Sequence, residues 1–176
     1  MSAPSLLTRA TVDAPAVTGV LPREALAYVA LGSNLGDRQR NLDGAVEWMA
    51  RLPGTEVVAA SRWLETAPVG GPPQGAFLNG VVALRTLLEP RPLLTALLSI
   101  ERRFGRERGV RWGPRTLDLD LLAHGDAILD EPGLQVPHPR MRGRSFVLAP
   151  LVELNPGWIH PEDGVTAAAL LERLGD

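Results

Sequence analysis

Cysteine and lysine are both missing from this chain of 176 residues. Without cysteine there is no disulfide scaffold, no thiolate site for zinc or iron–sulfur clusters and no thiol nucleophile, and the composition suits a reducing compartment. Without lysine there is neither a Walker-A lysine nor a Schiff base. All 18 basic residues are arginine; together with abundant Ala, Gly and Pro this reflects G+C-rich coding rather than a physical demand for guanidinium. No apolar run approaches the ~20 residues of a membrane span. Residues 1–24, with Pro4, Pro15 and Pro22, lack the basic start and apolar stretch of a signal peptide and read as a disordered N-terminal extension. A cytoplasmic protein is expected. The net charge of −2 argues against a globally basic nucleic-acid binder but leaves local patches possible.

What remains is an ordinary globular composition, 45% hydrophobic and 22% charged, in a length that suits one domain with its own core. That domain is expected over residues 25–176. Residues 26–32 form a short apolar run ending in Gly-Ser-Asn, a buried strand meeting a turn. Residues 37–52 place Leu42, Ala45, Val46, Met49 and Leu52 at helical spacing before Pro53-Gly54. Residues 55–66 read as one strand and 77–87 as another. Between them, residues 67–75 hold three prolines and three glycines and make a shaped loop. Residues 90–104 form a helix with Leu93, Leu97, Ile100 and Phe104 on one face. Beside that face, near the C-terminal end, stands Glu101, where a carboxylate opposes the helix dipole and points to a partner. An arginine-rich loop (105–116), a strand (117–123), a hairpin turn at 124–126 into 127–129, a third loop (136–144), an apolar helix (146–154) and an amphipathic terminal helix (165–174) follow. Strands and helices mix without strict β-α-β alternation, which indicates the α+β class.

The segment Trp112-Gly-Pro-Arg115-Thr-Leu-Asp118-Leu-Asp120-Leu carries the most chemistry. Side chains alternate faces along a strand, so Asp118 and Asp120 share one face and Leu117, Leu119 and Leu121 the other. Two such carboxylates repel unless neutralised, either by solvent on an open sheet face or by an oxygen-seeking ion such as Mg²⁺. Arg102, Arg103, Arg106, Arg108, Arg111 and Arg115 precede the pair, and Arg140, Arg142 and Arg144 follow in the third loop. Guanidinium forks match phosphate oxygens, so the combination reads as a polyphosphate–Mg²⁺ site, with an RNA- or protein-binding basic stripe or a merely soluble surface as alternatives. His138, between two prolines beside these arginines, is either structural or a phosphate contact. Trp112 either stacks on a base or packs its loop. The 66–79 stretch can serve a flat heterocycle through Phe77 and Asn79, or simply connect two strands, and spacing alone favours the connection.

Taken in order, these blocks resemble the 6-hydroxymethyl-7,8-dihydropterin pyrophosphokinases of folate biosynthesis. The resemblance runs from about residue 27 to the C-terminus. It rests on Ala-Leu-Gly32-Ser33-Asn34-Leu-Gly-Asp37, Glu65-Thr66-Ala-Pro68-Val-Gly70 with Phe77-Leu-Asn79, Ile100-Glu101 with Gly105-Arg106, Arg111-Trp-Gly-Pro-Arg115-Thr-Leu-Asp118-Leu-Asp120, and Val136-Pro-His138-Pro-Arg-Met. It implies a ferredoxin-like α+β sandwich, a mainly antiparallel sheet with helices on its faces. It also implies transfer of the terminal diphosphate of ATP to the pterin hydroxymethyl group, releasing AMP. On this resemblance Asp118 and Asp120 would hold two Mg²⁺ ions and, with Arg106 and Arg115, form the catalytic set. ATP would meet Glu101, Arg106, Arg108, Trp112, Arg115, Leu121, His138 and Arg144. The pterin pocket would comprise Thr66, Ala67, Pro68, Val69, Phe77, Asn79 and Phe146, with the ring between the two Phe faces. The loops at 67–75 and 105–112 would close over the substrates.

Two readings of other classes compete. A nucleic-acid module with the same sheet would use the same arginines, but the exposed aromatics and the RNP-type motif it needs are missing. A two-metal phosphohydrolase would cleave ATP without any acceptor. The expected partners are therefore ATP and the pterin, with no nucleic acid, no membrane and a monomeric state.

Overall fold

A computed structural model describes residues 23–106 and 113–175. Its centre is the apolar run near the start, which becomes strand β1 (Ala25–Ser33), buried from Ala27 onward. Asp37 caps the first helix, its carboxylate accepting the Arg40 N–H at 3.1 Å, so that α1 (Arg38–Met49) buries Leu42, Ala45 and Met49. Next come β2 (Thr55–Ala60), β3 (Leu64–Thr66), β4 (Phe77–Thr86), α2 (Pro90–Arg103) and β5 (Asp118–His124). The main sheet runs β2-β4-β1-β5, with β3 also paired to β4. Every pairing in it is antiparallel. With α1 after β1 and α2 after β4, this is the β-α-β-β-α-β order of a ferredoxin-like sheet. The remaining elements are β6 (Leu129–Glu131), β7 (Leu134–Val136), a 3₁₀ turn at Met141–Gly143, α3 (Ser145–Leu154) and α4 (Ala167–Gly175).

Strand alternation gives the sheet two apolar faces. One packs Val29, Leu31, Leu84, Leu119 and Leu121 against the buried sides of α1 and α2. The other packs Tyr28, Val81, Ala83 and Leu122 against Val147, Leu148 and Leu151 of α3 and Leu170 of α4. The α3 layer covers only part of its face, and the uncovered end of the sheet carries the polar residues described below. Among the described residues, no helix is long and apolar enough to cross a membrane.

Two local expectations need correction. Residues 55–66 are two strands because the chain leaves the ladder at residues 61–63. There the Trp63 ring lies over Gly80, where an added Cβ would come within 2.4 Å of it, and at Ser61 the last ladder bond, its N–H to Val81 O at 2.9 Å, is joined by the Val81 N–H donating to the Ser61 hydroxyl at 3.0 Å. The turn after β5 does not return as a hairpin partner either. It leads away to β6, which pairs with β7 across Pro132-Gly133, with Gly133 at φ 73°. That separate ribbon forms because Leu134 and Val136 are buried in the α1–α2 core.

Candidate active site

The bared end of the sheet floors a cavity of about 780 Å³, within the usual range for small-molecule sites. Three strands meet there in one register. Gly32 of β1 pairs with Asn79 of β4 on one side and with Asp118 of β5 on the other. Asp118 and Asp120 both face the cavity, while Leu117, Leu119 and Leu121 lie in the core behind the sheet, as the alternation requires.

Arg106 and Arg115 converge on Asp118. Arg106 Nη1 lies 2.6 Å from Asp118 Oδ1, and Arg115 Nη1 donates to Asp118 Oδ2 at 2.8 Å. Arg106 also pairs with Glu101. Desolvation works against its charge, but Asp118 and Glu101 more than offset this and hold its pKa above the ordinary arginine value. Among the described residues Asp120 has no such close partner; Arg144 and His138 each stand 3.8 Å from its Oδ2. Burial first, and the neighbouring Asp118 second, push its pKa up to about 6 against the pull of Arg144 and Arg106.

β5 is an edge strand, and two predicted site residues close its free side. Glu101 Oε1 accepts the Leu119 N–H at 2.7 Å, and the His138 N–H donates to Leu122 O at 2.8 Å. Glu101 is 3% exposed. Burial pushes its pKa up to about 7, although the Leu119 N–H and Arg106 oppose the shift. The partner expected from its awkward place at the helix end is thus Arg106 together with a strand amide. His138 is pushed down to about 4 by burial, then by Arg144 and Arg140, so it is neutral near pH 7. Its Nδ1 accepts the Arg140 N–H at 3.2 Å, which leaves Nε2–H as a donor facing Asp120.

The other end of the cavity is flatter and less charged. Thr66, Ala67, Val69, Phe77, Asn79 and Phe146 line it. Asn79 is 8% exposed and its amide donates to Thr66 Oγ1 at 2.7 Å, which fixes its orientation and turns its Oδ1 toward Gly32. Arg144 bridges the two ends, its guanidinium lying 5.6 Å from the Phe146 ring. Asn34 ties together the two loops that border them. Its amide nitrogen donates to Gln74 Oε1 at 2.9 Å and to Gly75 O at 3.1 Å, while its Oδ1 accepts the Arg115 N–H at 2.8 Å.

Most of the residues expected from sequence meet in this one cavity, but Leu121, Pro68, Glu101 and His138 do not line it. Leu121 does not border it: Leu119 and Leu121 point away from the carboxylates, and Leu121 is 4% exposed in the core. Pro68, Glu101 and His138 are absent from the lining; Glu101 lies behind it on the Leu119 N–H, and His138 stands beside it with Nε2 3.8 Å from Asp120 Oδ2. Arg108 and Trp112, with most of the loop expected to close over the nucleotide, fall outside the described residues. Conversely, Gly32, Gln74 and Arg140 line the cavity without having been assigned to it. Arg140 was legible as a member of the arginine cluster. Gly32 offers no chemistry of its own and gives no such signal. Arg142, counted in the same cluster, faces away and pairs with Glu162 and Asp163.

Residues 28–156 match the family model described as 7,8-dihydro-6-hydroxymethylpterin-pyrophosphokinase. The chain is similar to the 2-amino-4-hydroxy-6-hydroxymethyldihydropteridine pyrophosphokinase of Synechocystis sp., 47% identical over 148 residues that cover 84% of this chain and 75% of that protein. Its counterpart in Pseudomonas aeruginosa is 50% identical over 129 residues, 73% of this chain and 80% of that protein. Among solved structures, wild-type HPPK-DHPS of Plasmodium falciparum superimposes with a TM-score of 0.64 at 12% identity, over 86% of this chain. The chain spans only 45% of that longer protein, and at this identity the likeness shows the fold alone. Family model, relatives and fold agree, and the chain belongs to the 7,8-dihydro-6-hydroxymethylpterin-pyrophosphokinase family.

Proposed function

We propose that this chain transfers the β,γ-diphosphate of ATP to the hydroxymethyl oxygen of 6-hydroxymethyl-7,8-dihydropterin, in folate biosynthesis, and releases AMP. One observation carries the reading. A single cavity joins a carboxylate–arginine end, suited to a metal–polyphosphate, to an aromatic–amide end, suited to a flat heterocycle, and Gly32 lies between the two. A hydrolase would need no second end of this kind.

On this reading the pterin ring lies between Phe77 and Phe146, and Asn79, held by Thr66, pairs with its edge. The ring's hydroxymethyl group then points over Gly32 toward the carboxylates. Arg106, Arg115, Arg140 and Arg144 take the phosphate oxygens, with the neutral His138 offering an N–H. Arg108 and Trp112 complete the nucleotide side. A new bond forms between the hydroxymethyl oxygen and the β-phosphorus as the bridge to the α-phosphate breaks; the hydroxyl's proton passes to solvent, and the bridging oxygen leaves with AMP. The protein's work is to hold oxygen and phosphorus in line and to meet the charge that develops on the phosphoryl oxygens.

Asp118 and Asp120 suit Mg²⁺. They are two oxygen donors on one face, and Asp120 retains a raised pKa despite the surrounding arginines. Hard cations of this size prefer one or two carboxylates plus substrate phosphates. Two Mg²⁺ ions held there would neutralise the triphosphate and polarise it toward attack. The catalytic unit is taken as a monomeric, cytoplasmic domain over residues 25–176.

The test is incubation with ATP, Mg²⁺ and 6-hydroxymethyl-7,8-dihydropterin, followed by chromatography of the nucleotides. Pterin-dependent AMP with an equal amount of diphosphorylated pterin is the expected result. ADP, or nucleotide turnover without pterin, would overturn the proposal.

A further inference from the structure

The turn at residues 140–144 presents Arg140 and Arg144 to the cavity but sends Arg142, midway between them, to the opposite side. The two inward guanidiniums oppose each other. Arg144's pKa is held below the ordinary arginine value by burial and then by Arg140. The turn's own backbone restrains it loosely, with Gly143 N–H to Arg140 O at 3.4 Å and Arg144 N–H to Met141 O at 3.3 Å, both long for such bonds. Backbone bonds at both ends, Met141 N–H to His138 O at 3.1 Å and Leu148 N–H to Arg144 O at 2.9 Å, hold the turn in place, and the fully buried Met141 is its first side-chain anchor.

Arg142 supplies a second. Its Nε lies 3.0 Å from Asp163 Oδ2 and 3.2 Å from His160 Nε2, while its Nη2 pairs with Glu162. Of these acceptors His160 is buried, while the Glu162 and Asp163 carboxylates project from the turn that it begins. His160 is 1% exposed, and the turn it begins is closed by His160 N–H to Val165 O at 2.9 Å and Gly164 N–H to His160 O at 2.8 Å. His160, Glu162 and Asp163 have the spacing of a cation site, and the cation that fills it is this guanidinium.

We infer that Arg142 is a positioning residue for the nucleotide: clamped by His160, Glu162 and Asp163, it fixes the tilt of the turn and so aims Arg140 and Arg144 at the phosphates. The inference rests on the proposed nucleotide site. A guanidinium with three acceptors holds orientation as well as position, because its fork is planar. Misaiming a phosphate ligand weakens nucleotide binding and spares the pterin end.

The test uses the full chain and three variants, Arg142→Ala, Arg142→Lys and the double change Glu162→Gln with Asp163→Asn. Two quantities are read: the Kd for a non-hydrolysable ATP analogue with Mg²⁺ by calorimetry, and KM for each substrate. Arg142→Ala and the double variant should each raise the analogue's Kd and the ATP KM roughly 5- to 20-fold, with the pterin KM within about twofold. Arg142→Lys should recover part of the loss. The double variant is decisive, since it keeps Arg142 and His160 and removes only the two carboxylate charges that hold the guanidinium. If it binds the analogue as well as wild type while Arg142→Ala does not, Arg142 contacts nucleotide directly and the inference fails. If the variants lose only melting temperature, with Kd and KM unchanged, the clamp supports the fold alone and the inference also fails. A wild type that binds the analogue but shows no pterin-dependent turnover would overturn the proposed function and leave the clamp to be judged on Kd. A wild type that binds no nucleotide would overturn both.

Discussion

Replacing Gly32 with alanine adds one methyl group at the point where the two ends of the cavity meet. The new Cβ would lie 2.9 Å from Asn79 Oδ1, 3.9 Å from Phe77 Cδ1 and 4.0 Å from Asp118 Cβ. Only the first contact is too close; the other two are ordinary van der Waals separations. Asn79 has little freedom to yield, because its amide is bonded to Thr66 at 2.7 Å and its side chain is almost wholly buried. Either it rotates and gives up Thr66, or β1 and β4 move apart. Overpacking of this kind costs about 1–3 kcal/mol, and at 1.4 kcal/mol per factor of ten the pterin Kd should rise about 5- to 150-fold. Asp118 meets no clash, so the ATP KM should stay within about twofold. Pterin binding by intrinsic fluorescence, with KM measured for each substrate, reads both numbers. An unchanged pterin Kd together with a raised ATP KM would refute the assignment of Asn79 to the pterin and of Asp118 to the nucleotide.

Asp120→Asn keeps shape and removes charge. Turnover should fall at least about 10³-fold, while the melting temperature holds or rises, since a poorly solvated carboxylate beside Asp118 is gone; a collapsed melting temperature would make Asp120 structural. Glu101 gives a pH signature in the unliganded protein. Its carboxyl is raised from 4.5 to about 7 by burial, so the folded state binds the proton more tightly than the unfolded chain. Wild type should therefore lose roughly 3 kcal/mol relative to Glu101→Gln as pH rises from 4.5 to 7, with a constant gap above 7. Denaturant titrations across that window would show a flat difference if the burial argument is wrong. Phe146→Ala should raise the pterin KM about tenfold or more through lost stacking, with a smaller rise for ATP because Arg144 loses the ring it lies against; equal effects on both substrates would count against a pterin face at Phe146.

The chemistry carried by neighbours in sequence was legible without coordinates. Period-two alternation places Asp118 and Asp120 together and Leu119 and Leu121 opposite, and the structure keeps that arrangement. The same alternation puts Leu121 on the face opposite the carboxylates, and its place near the nucleotide was implied by the resemblance alone. Helical spacing identified the buried faces of α1 and α2, and the dipole argument singled out Glu101. These features depend on backbone periodicity, which a few adjacent residues determine.

What only the tertiary structure decided depends on segments far apart in the chain. Gly32 matters because antiparallel pairing sets Asn79 on one side of it and Asp118 on the other, a coincidence of register that no local pattern records. The arginines of the third loop looked equivalent in sequence, yet a 3₁₀ turn and three acceptors on the chain's last turn send Arg142 away from Arg140 and Arg144. Trp63 breaks a strand only because Gly80, on another strand, leaves room for its ring. Sequence by itself determined which residue types could do the chemistry and which face each would take. Packing decided which of them meet, because close contact between distant segments is settled by register and steric fit.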